Sequence, residues 1–415
     1  MSDLSNENNE FTLHNLETDD DIEQYLELMR TVFGQTSGVD NFTEKLIHHH
    51  PAMTLNNFLV IKHHGKIVAT LNLIPVMWSI GGIPLKVAEM GQVATLTEYR
   101  HRGLQRRLTD EFHKKAAEQE YDLCAIEGIP YFYRQFGYEY ALPLLEETKI
   151  RLDQIPDYES NITLRPFTAE DIPKAMQLLA QSQKKFYVHV LRDEKIWKMQ
   201  QETGIASGNK FEAYALEKDG NMLAYFRITE RPEEKALFLQ EASDVDLYTS
   251  KVVLSVVKNI GKQHGLEALV SQMSYYDPLT QQLVNLGATQ QNPPYAWQIR
   301  VTDYAKVLQK MKPLFERRLA ESMYCHLTEK LNFNFRRYVV QITVEDGLIK
   351  DIRRIESSED RTIGLNPLVF VQLLLGHRSR QELEITYPDF NVRPSHKHLI
   401  DTLFPKLPSH IHAAY

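Results

Sequence analysis

The chain has 415 residues, of which 43% are hydrophobic and 25% charged, and its formal net charge is -8 at pH 7. This length predicts two or three domains, each able to bury a core of its own. The negative charge disfavours nucleic acid as a partner and favours a cationic ligand. Because no apolar run approaches the roughly 18 residues that a membrane span needs, we expect no membrane association.

The first residues and the cysteines indicate a compartment. Residues 1–10 are polar and acidic, and they lack both the basic start and the apolar core of a signal peptide. The two cysteines, Cys124 and Cys325, lie far apart in sequence, which argues against a disulfide framework. We therefore expect a cytoplasmic protein.

The chain opens with a strand, a capped helix and a hairpin. Residues 12–16 have the pattern of a strand, an acidic helix start follows at residues 19–22, and residues 58–69 form a hairpin pattern with Gly65 at its turn. Between them, His48–His50 precede Pro51. Because proline disfavours the helical spacing of a metal-binding pair, we interpret these histidines as a surface cluster.

Residues 93–108 carry the strongest functional signal. A short apolar strand breaks into a basic turn that contains Gly103 and opens directly into a helix. The helix is indicated by apolar side chains at every fourth position, namely Leu104, Leu108 and Phe112. N–H groups at a helix start have no intrahelical partner and the helix dipole is positive there, so this arrangement favours phosphate. Gly103 admits a ligand close to the backbone, and Arg100 and Arg102 supply charge to a pyrophosphate.

The turn also carries a family resemblance. The phosphate-loop patterns Gly-x-x-x-x-Gly-Lys-Ser/Thr and Gly-x-Gly-x-x-Gly are both missing. Residues 100–105, Arg-His-Arg-Gly-Leu-Gln, resemble instead the coenzyme A turn Arg/Gln-x-x-Gly-x-Gly/Ala of the GNAT superfamily of N-acetyltransferases, with Gln105 replacing the last small residue. The resemblance implies acetyl-CoA as co-substrate, and we expect no metal. The residues that it implies for binding are Val93, Ala94, Thr95, Arg100, His101, Arg102, Gly103, Leu104, Gln105 and Arg106.

A second motif follows in the expected order. Residues 131–138, Tyr-Phe-Tyr-Arg-Gln-Phe-Gly-Tyr, resemble the Phe-Tyr-x-x-x-Gly-Phe/Tyr segment that closes GNAT domains. We interpret Phe132, Phe136 and Tyr138 as core residues. In the superfamily the tyrosine that matches Tyr133 faces the cofactor sulfur, which implies that Tyr133 protonates the departing thiolate.

The pattern of the first 150 residues repeats once. The strand near residue 163 and the hairpin of residues 213–224 resemble the elements that open the chain, at matching offsets. Residues 244–253, where the coenzyme turn would fall, contain no Arg-x-x-Gly and two aspartates that would repel phosphate. We predict a second GNAT-like domain that has lost its chemistry.

The last hundred residues have an α+β pattern. A helix over residues 301–319, a hairpin over 338–349 and a proline-initiated helix over 366–376 are predicted. The pattern resembles the sterol-carrier-type domain that follows paired GNAT domains in the enhanced intracellular survival family, which forms hexamers. The resemblance therefore implies a homo-oligomer.

We predict an α/β and α+β architecture of tandem GNAT folds, each a mixed, splayed sheet with flanking helices, followed by a sterol-carrier-like domain. The predicted domains are a catalytic domain at residues 1–155, a degenerate copy at 156–300, and residues 301–415, whose tail returns to the active site. In the resembled family the C-terminal carboxylate reaches that site. Here it belongs to Tyr415, with a frayed tail as the alternative. Glu89 is the other candidate base, or else a solvated strand residue.

Two functions remain open at this point. The first is transfer of acetyl from acetyl-CoA to a primary amine, of the aminoglycoside, polyamine or lysine type, in a ternary complex. The second is non-catalytic binding of an apolar ligand by the last domain. The intact turn at residues 100–103 favours the enzyme, because a relic would resemble residues 244–253.

Overall fold

The computed structural model describes residues 10–34, 38–144, 146–291, 295–359 and 362–415. The described residues form two compact units. One contains the described parts of Met1–Thr43, Ala52–Leu142 and Trp297–Ser409, and the other contains those of Glu44–Pro51, Pro143–Ala296 and His410–Tyr415. The polar start considered above lies, up to residue 9, outside the described residues.

The described elements alternate along the chain. The strands are β1 (Phe11–Asn15), β2 (Phe58–His63), β3 (Lys66–Ile80), β4 (Ile83–Thr95), β5 (Leu123–Ile126), β6 (Glu139–Pro143), β7 (Thr148–Arg151), β8 (Thr163–Pro166), β9 (Val188–Leu191), β10 (Ile205–Ala206), β11 (Asn209–Lys210), β12 (Glu212–Lys218), β13 (Asn221–Arg231), β14 (Ala236–Ala242), β15 (Ala268–Ser271), β16 (Thr289–Gln290), β17 (Ala296–Val301), β18 (Glu329–Asn334), β19 (Val339–Glu345), β20 (Leu348–Ile355), β21 (Ile363–Gly364) and β22 (Asn391–Val392). The α-helices are α1 (Asp19–Phe33), α2 (Val39–His48), α3 (Leu104–Glu118), α4 (Ile172–Ser182), α5 (Glu194–Thr203), α6 (Leu247–Gln263), α7 (Pro278–Asn285), α8 (Tyr304–Lys310), α9 (Lys312–Ala320), α10 (Pro367–Leu374), α11 (Arg380–Thr386) and α12 (Lys397–Leu403).

The first unit is built on a mixed sheet with strand order β1-β2-β3-β4-β5-β17-β6. Strands β4 and β5 are parallel, whereas β1 to β4 form an antiparallel meander. Helices α1 and α3 pack against β3 and β4. The apolar residues that predicted α3 are buried, so its predicted face is confirmed: Leu104, Leu108 and Phe112.

The second unit repeats this topology. Its sheet has the order β16-β7-β15-β14-β13-β12-β8, again with an antiparallel hairpin, β12 and β13, beside a parallel pair, β14 and β15. The predicted tandem of GNAT-like folds is therefore confirmed. Strand β7 follows the first repeat in sequence but lies in the second sheet, and β17 follows the second repeat but lies in the first. No single cut in the sequence separates the two sheets.

The last hundred residues lie in the first unit and have a sheet of their own, with order β20-β19-β18-β21-β22. The predicted elements are present: the proline-initiated helix is α10, capped by Asn366, and the hairpin is β19 and β20. The predicted helix over residues 301–319 divides into α8 and α9, with β17 running to Val301. Buried aromatic rings in contact with one another fill the interior: Tyr304, Phe333, Phe335, Phe370 and Phe404.

Among the described residues, no helix is long and apolar enough to cross a membrane. The division into three consecutive domains and the likeness of the last one to sterol carriers stay predictions.

Candidate active site

Strand β4 opens a cleft in the first sheet. Its parallel pairing with β5 extends only from Val87 to Glu89, although β4 itself continues to Thr95. On its other side, the pairing of β4 with β3 is irregular opposite Thr70 and Asn72, which marks a β-bulge. Among the described residues, the backbone of Val93 to Thr95 therefore has no partner strand on the β5 side.

Gln92 holds the bulge in place. It adopts a left-handed backbone conformation with φ 51, which is uncommon for a residue other than glycine. Its buried side chain accepts hydrogen bonds from the Tyr25 hydroxyl at 3.1 Å and from Asn72 Nδ2 at 2.7 Å, and it donates one to Thr43. Gln92 was not predicted from the sequence as a site residue, although a glutamine inside an apolar strand indicates a specific polar contact.

The basic turn leads from β4 into α3 with two left-handed residues, His101 at φ 64 and Gly103 at φ 73. No side chain caps the start of α3, so its first N–H groups are available to a ligand. A side chain added at Gly103 would meet no protein atom within 4 Å. The turn is thus open toward solvent beside an uncapped helix start, which suits an anion.

A cavity of about 640 Å³ joins the turn to the open strand. All but one of the ten residues predicted to bind acetyl-CoA line it: Val93, Ala94, Thr95, Arg100, His101, Gly103, Leu104, Gln105 and Arg106. The remaining one, Arg102, places its guanidinium 5.9 Å from the centre of the Phe11 ring. Tyr133 lines the same cavity, so the two sequence motifs meet in space.

Gln105 replaces the small residue usual at its position in the resembled turn. Its amide nitrogen donates to the carbonyl oxygens of Ala94 at 2.7 Å and Thr70 at 3.2 Å, and to the Thr95 hydroxyl at 2.9 Å. The side chain therefore bridges β3 and β4 beside the bulge. Its amide oxygen, Oε1, is buried and accepts no hydrogen bond within the described part of the chain. It can accept an N–H group from a ligand in the cavity.

Tyr133 lies in a one-turn 3-10 helix, Phe132–Phe136, and only 4% of its surface is exposed. Its ring packs edge-on against Phe132 and Tyr138. Tyr138 is fully buried, as predicted. The interpretation of Phe132 and Phe136 as core residues is wrong, because both rings are only partly buried and line the cavity.

The segment between β5 and this helix carries a carboxylate that is close in sequence to the cavity and was not predicted as a site residue. Glu127 directly precedes Gly128, whose Cα faces the ring of Tyr133. Its side chain is accessible to solvent, yet it is surrounded by enough protein that burial raises the pKa of its carboxyl to about 7. Within the described part of the chain, neither a hydrogen bond nor an ion pair engages this carboxylate. A lone glutamate at a strand end gave no signal in the sequence.

The two predicted bases belong to different compact units. Glu89 is only 7% exposed and pairs with Ile74 and Ala125 inside the sheet, so its interpretation as a solvated residue is wrong. Tyr415 belongs to the second unit. Its main-chain oxygen accepts the Ser207 N–H at 2.5 Å and 4% of its surface is exposed, so a frayed tail is also wrong.

Two side chains lie near Tyr415 in the second unit, namely Lys45 of α2 and His50, which follows this helix. The ring centre of His50 lies 6.0 Å from that of Tyr415, and Lys45 Nζ lies 5.9 Å from the same ring. Burial lowers the pKa of His50 to about 4 and that of Lys45 to about 7. The interpretation of His48–His50 as a surface cluster is therefore wrong for His50, whose ring belongs to the interior.

The second repeat is closed at the equivalent position. Helix α6 begins after Asp246, whose side chain accepts the Thr249 N–H at 2.7 Å and so occupies the helix start. Asp244 forms an ion pair with Lys185. The start of α6 is therefore occupied by a carboxylate, whereas the start of α3 is uncapped. This negative charge explains why the second repeat does not favour a phosphate.

A larger cavity of about 760 Å³ lies along α1. Four carboxylates are among its lining residues: Asp20, Glu23, Glu27 and Glu98. They would repel a pyrophosphate, whereas Arg100 and Arg106 of the smaller cavity would attract one.

Comparison with known proteins agrees with this geometry. Residues 15–141 match the family model described as an acetyltransferase (GNAT) domain. The first repeat is therefore similar in sequence to GNAT acetyltransferase domains. A search of curated proteins finds no match.

Solved structures match the fold at low sequence identity. A GCN5-related N-acetyltransferase from Anabaena variabilis has a TM-score of 0.74 at 16% identity, covering 98% of this chain and 100% of its own. Eis1 from Mycobacterium abscessus has a TM-score of 0.65 at 13% identity, covering 97% and 100%. N-myristoyltransferase from Saccharomyces cerevisiae, with bound myristoyl-CoA, has a TM-score of 0.52 at 12% identity, covering 70% and 79%.

Proposed function

We propose that this protein transfers the acetyl group of acetyl-CoA directly to a primary amine on a small, cationic acceptor. The observation that carries the proposal is the cavity of about 640 Å³, which is lined by an open strand, an uncapped helix start and the buried Tyr133. Each of these features matches one part of an acyl-CoA: the pantetheine arm, the pyrophosphate and the thioester.

Two kinds of group bind acetyl-CoA in this proposal: positively charged side chains and polar groups of the backbone. The N–H groups between His101 and Gly103 and the positive end of α3 favour the pyrophosphate. Arg100, whose Nε donates to the Thr95 carbonyl at 3.4 Å, and Arg106, which donates to Gln135 at 2.7 Å, add positive charge at the rim. We assign the amide groups of pantetheine to the β5 side of Val93 to Thr95, beyond the end of the β4–β5 pairing, and to the buried Gln105 Oε1, which accepts no hydrogen bond from the described residues.

Acetyl-CoA supplies an activated acetyl group as a thioester, and the chain supplies the proton transfers. A free alkyl amine has a pKa near 10.4 and a thiol near 8.5, so neither proton moves favourably at neutral pH without help. We assign to Tyr133 the donation of a proton to the departing sulfur. Backbone N–H groups of the open strand stabilise charge on the carbonyl oxygen.

For the base, the structure adds a candidate to the two that the sequence offered. Glu127 neighbours the Tyr133 ring through Gly128, and a carboxyl whose pKa is about 7 is half ionised at neutral pH, which suits proton uptake from an ammonium group. Glu89 and the C-terminal carboxylate of Tyr415 remain the alternatives. A pH profile of the Glu127→Gln variant separates Glu127 from the other two.

The alternative function, binding of an apolar ligand by the last domain, has less support. The interior of that domain is occupied by aromatic rings whose centres are 4.5 to 5.9 Å apart. An apolar ligand would have to separate Phe333, Phe370 and Phe404, at the cost of their mutual burial. The kind of amine, the hexamer and the cytoplasmic location stay predictions from the family resemblance.

Calorimetry of acetyl-CoA binding tests the site. We expect one site per chain, and we expect Gly103→Val to abolish binding because its side chain projects into the pyrophosphate position. Gly82→Val is the matched control, since Gly82 also has a positive φ and open space around it but lies in the turn between β3 and β4. Two sites per chain, or equal affinity in both variants, would contradict the assignment.

A further inference from the structure

The start of β1 and the β2–β3 turn bring three metal-binding side chains together. In the antiparallel register Phe11 pairs with His63, so Glu10 lies opposite His64. His64 and Gly65 form a two-residue turn, with φ 49 and φ 80. Successive side chains of a strand normally point to opposite faces, but the left-handed turn brings the rings of His63 and His64 to 4.1 Å between their centres.

The three ligand atoms already have the separations of a coordination sphere. Glu10 Oε2 is 3.4 Å from His63 Nε2 and 3.7 Å from His64 Nε2, and all three atoms lie within 4.8 Å of one another. Zinc bonds of about 2.0–2.1 Å in a tetrahedron place neighbouring ligand atoms about 3.3–3.4 Å apart. A metal ion therefore fits between them with small side-chain movements.

His63 is also oriented as a ligand. Its other ring nitrogen, Nδ1, is 3.3 Å from the Tyr99 hydroxyl. A hydrogen bond from Nδ1–H to that oxygen fixes the tautomer and leaves the Nε2 lone pair for a metal. The ring is stacked on Phe11 at 4.5 Å with an angle of 19°, so it does not rotate freely. Glu10 and His64 are more exposed and leave the site open to an ion and to water.

We propose that Glu10, His63 and His64 bind one transition-metal ion of the zinc class, with water as the fourth ligand. Two imidazoles and one carboxylate favour such an ion over Mg²⁺ or Ca²⁺, which prefer oxygen ligands. The proposal departs from the sequence-based expectation of no metal. The ion ties the start of β1 to the β2–β3 turn, and it takes no part in the proposed acetyl transfer.

Calorimetric titration of the full chain with zinc chloride, without a polyhistidine tag and without acetyl-CoA, tests the site. We expect one zinc ion per chain, and we expect Glu10→Gln and His64→Asn each to weaken binding at least tenfold. Asparagine suits the left-handed turn position, so His64→Asn removes the imidazole without straining the backbone. The matched control is His14→Asn, an exposed histidine of β1 whose ring bonds Thr12.

The same titration with magnesium chloride should show no binding. The proposal is overturned if the unmodified protein binds no zinc, if either site variant binds it as tightly as the unmodified protein, or if His14→Asn weakens binding equally. These results are independent of acetyl-CoA turnover, so the metal site and the proposed acetyltransferase activity can fail separately.

Discussion

Gly128 offers a way to move Tyr133 without altering its chemistry. A Cβ atom built on Gly128 would lie 2.0 Å from Cε2 of the Tyr133 ring and 2.5 Å from Cδ2. The backbone of Gly128 is not in the left-handed region, so alanine is compatible with its conformation. The effect of Gly128→Ala must therefore be a displacement of the tyrosine ring.

The size of this displacement follows from the contact distance. Carbon atoms make comfortable contact at about 3.5 Å, so the ring edge must withdraw by about 1.5 Å. The Tyr133 ring is buried and packs against Phe132 and Tyr138. A small rotation of the ring therefore cannot relieve the clash with the new Cβ atom and keep the hydroxyl in place. Since a misplacement of about 1 Å can cost about 10²-fold in rate, we expect Gly128→Ala to lower kcat by about that factor. The affinity for acetyl-CoA should change less than tenfold, because the turn at Gly103 is unaffected.

Steady-state release of free coenzyme A, measured with the best amine acceptor, is the assay. Gly364→Ala is a suitable control, because its added Cβ would approach no atom closer than 3.4 Å and its backbone is also outside the left-handed region. In a Tyr133→Phe background, where no hydroxyl remains to be misplaced, Gly128→Ala should cost much less. Unchanged kcat in the single variant, or an equal penalty in both backgrounds, would refute the reasoning.

Four further predictions concern the proposed chemistry and assembly. Tyr133→Phe should lower turnover by about 10²–10⁴ with little change in acetyl-CoA affinity, measured by kinetics and calorimetry; wild-type turnover would make Tyr133 a core residue only. Glu127→Gln should remove the rise of kcat/KM with pH near 7, since ionisation of a carboxyl with a pKa of about 7 creates the base as pH increases; an unaltered pH profile would return the role to Glu89 or Tyr415. If the Tyr415 carboxylate is the base, deletion of Tyr415 or a C-terminal extension should reduce turnover sharply and leave acetyl-CoA binding intact. Equal turnover in these two variants and in an N-terminally tagged protein would exclude the tail from the mechanism. Light scattering should give a hexamer, and a mass near 48.2 kDa would exclude it.

Local sequence was sufficient to predict the turn before α3, and it singled out Tyr133, which lines the same cavity. The turn and the start of α3 are determined by neighbouring residues, because the four-residue spacing of Leu104 and Leu108 defines one buried face wherever the helix packs. The departure at Gln105 had no explanation in the sequence. Its hydrogen bonds to Ala94 and Thr70 depend on the pairing of β4 with β3, and β3 is distant from Gln105 in the chain.

Features that depend on long-range pairing were not predicted. The placement of β17 in the first sheet and of β7 in the second requires knowledge of strand partners, which alternating apolar residues do not specify. His50 was assigned to a surface cluster because Pro51 disfavours a metal-binding pair, but it follows α2 into a buried position beside Tyr415. The Glu10, His63 and His64 cluster depends on the β1–β2 register in the same way.

Mass spectrometry of a panel of primary amines, incubated with acetyl-CoA and the full chain, tests the proposed activity most directly. We predict that at least one aminoglycoside, polyamine or lysine-type amine gains a single acetyl group, and that Tyr133→Phe forms the same product at least 10²-fold more slowly. If acetyl-CoA binds in the cavity and no amine of any of these classes is acetylated, the proposed amine acetyltransferase activity is wrong.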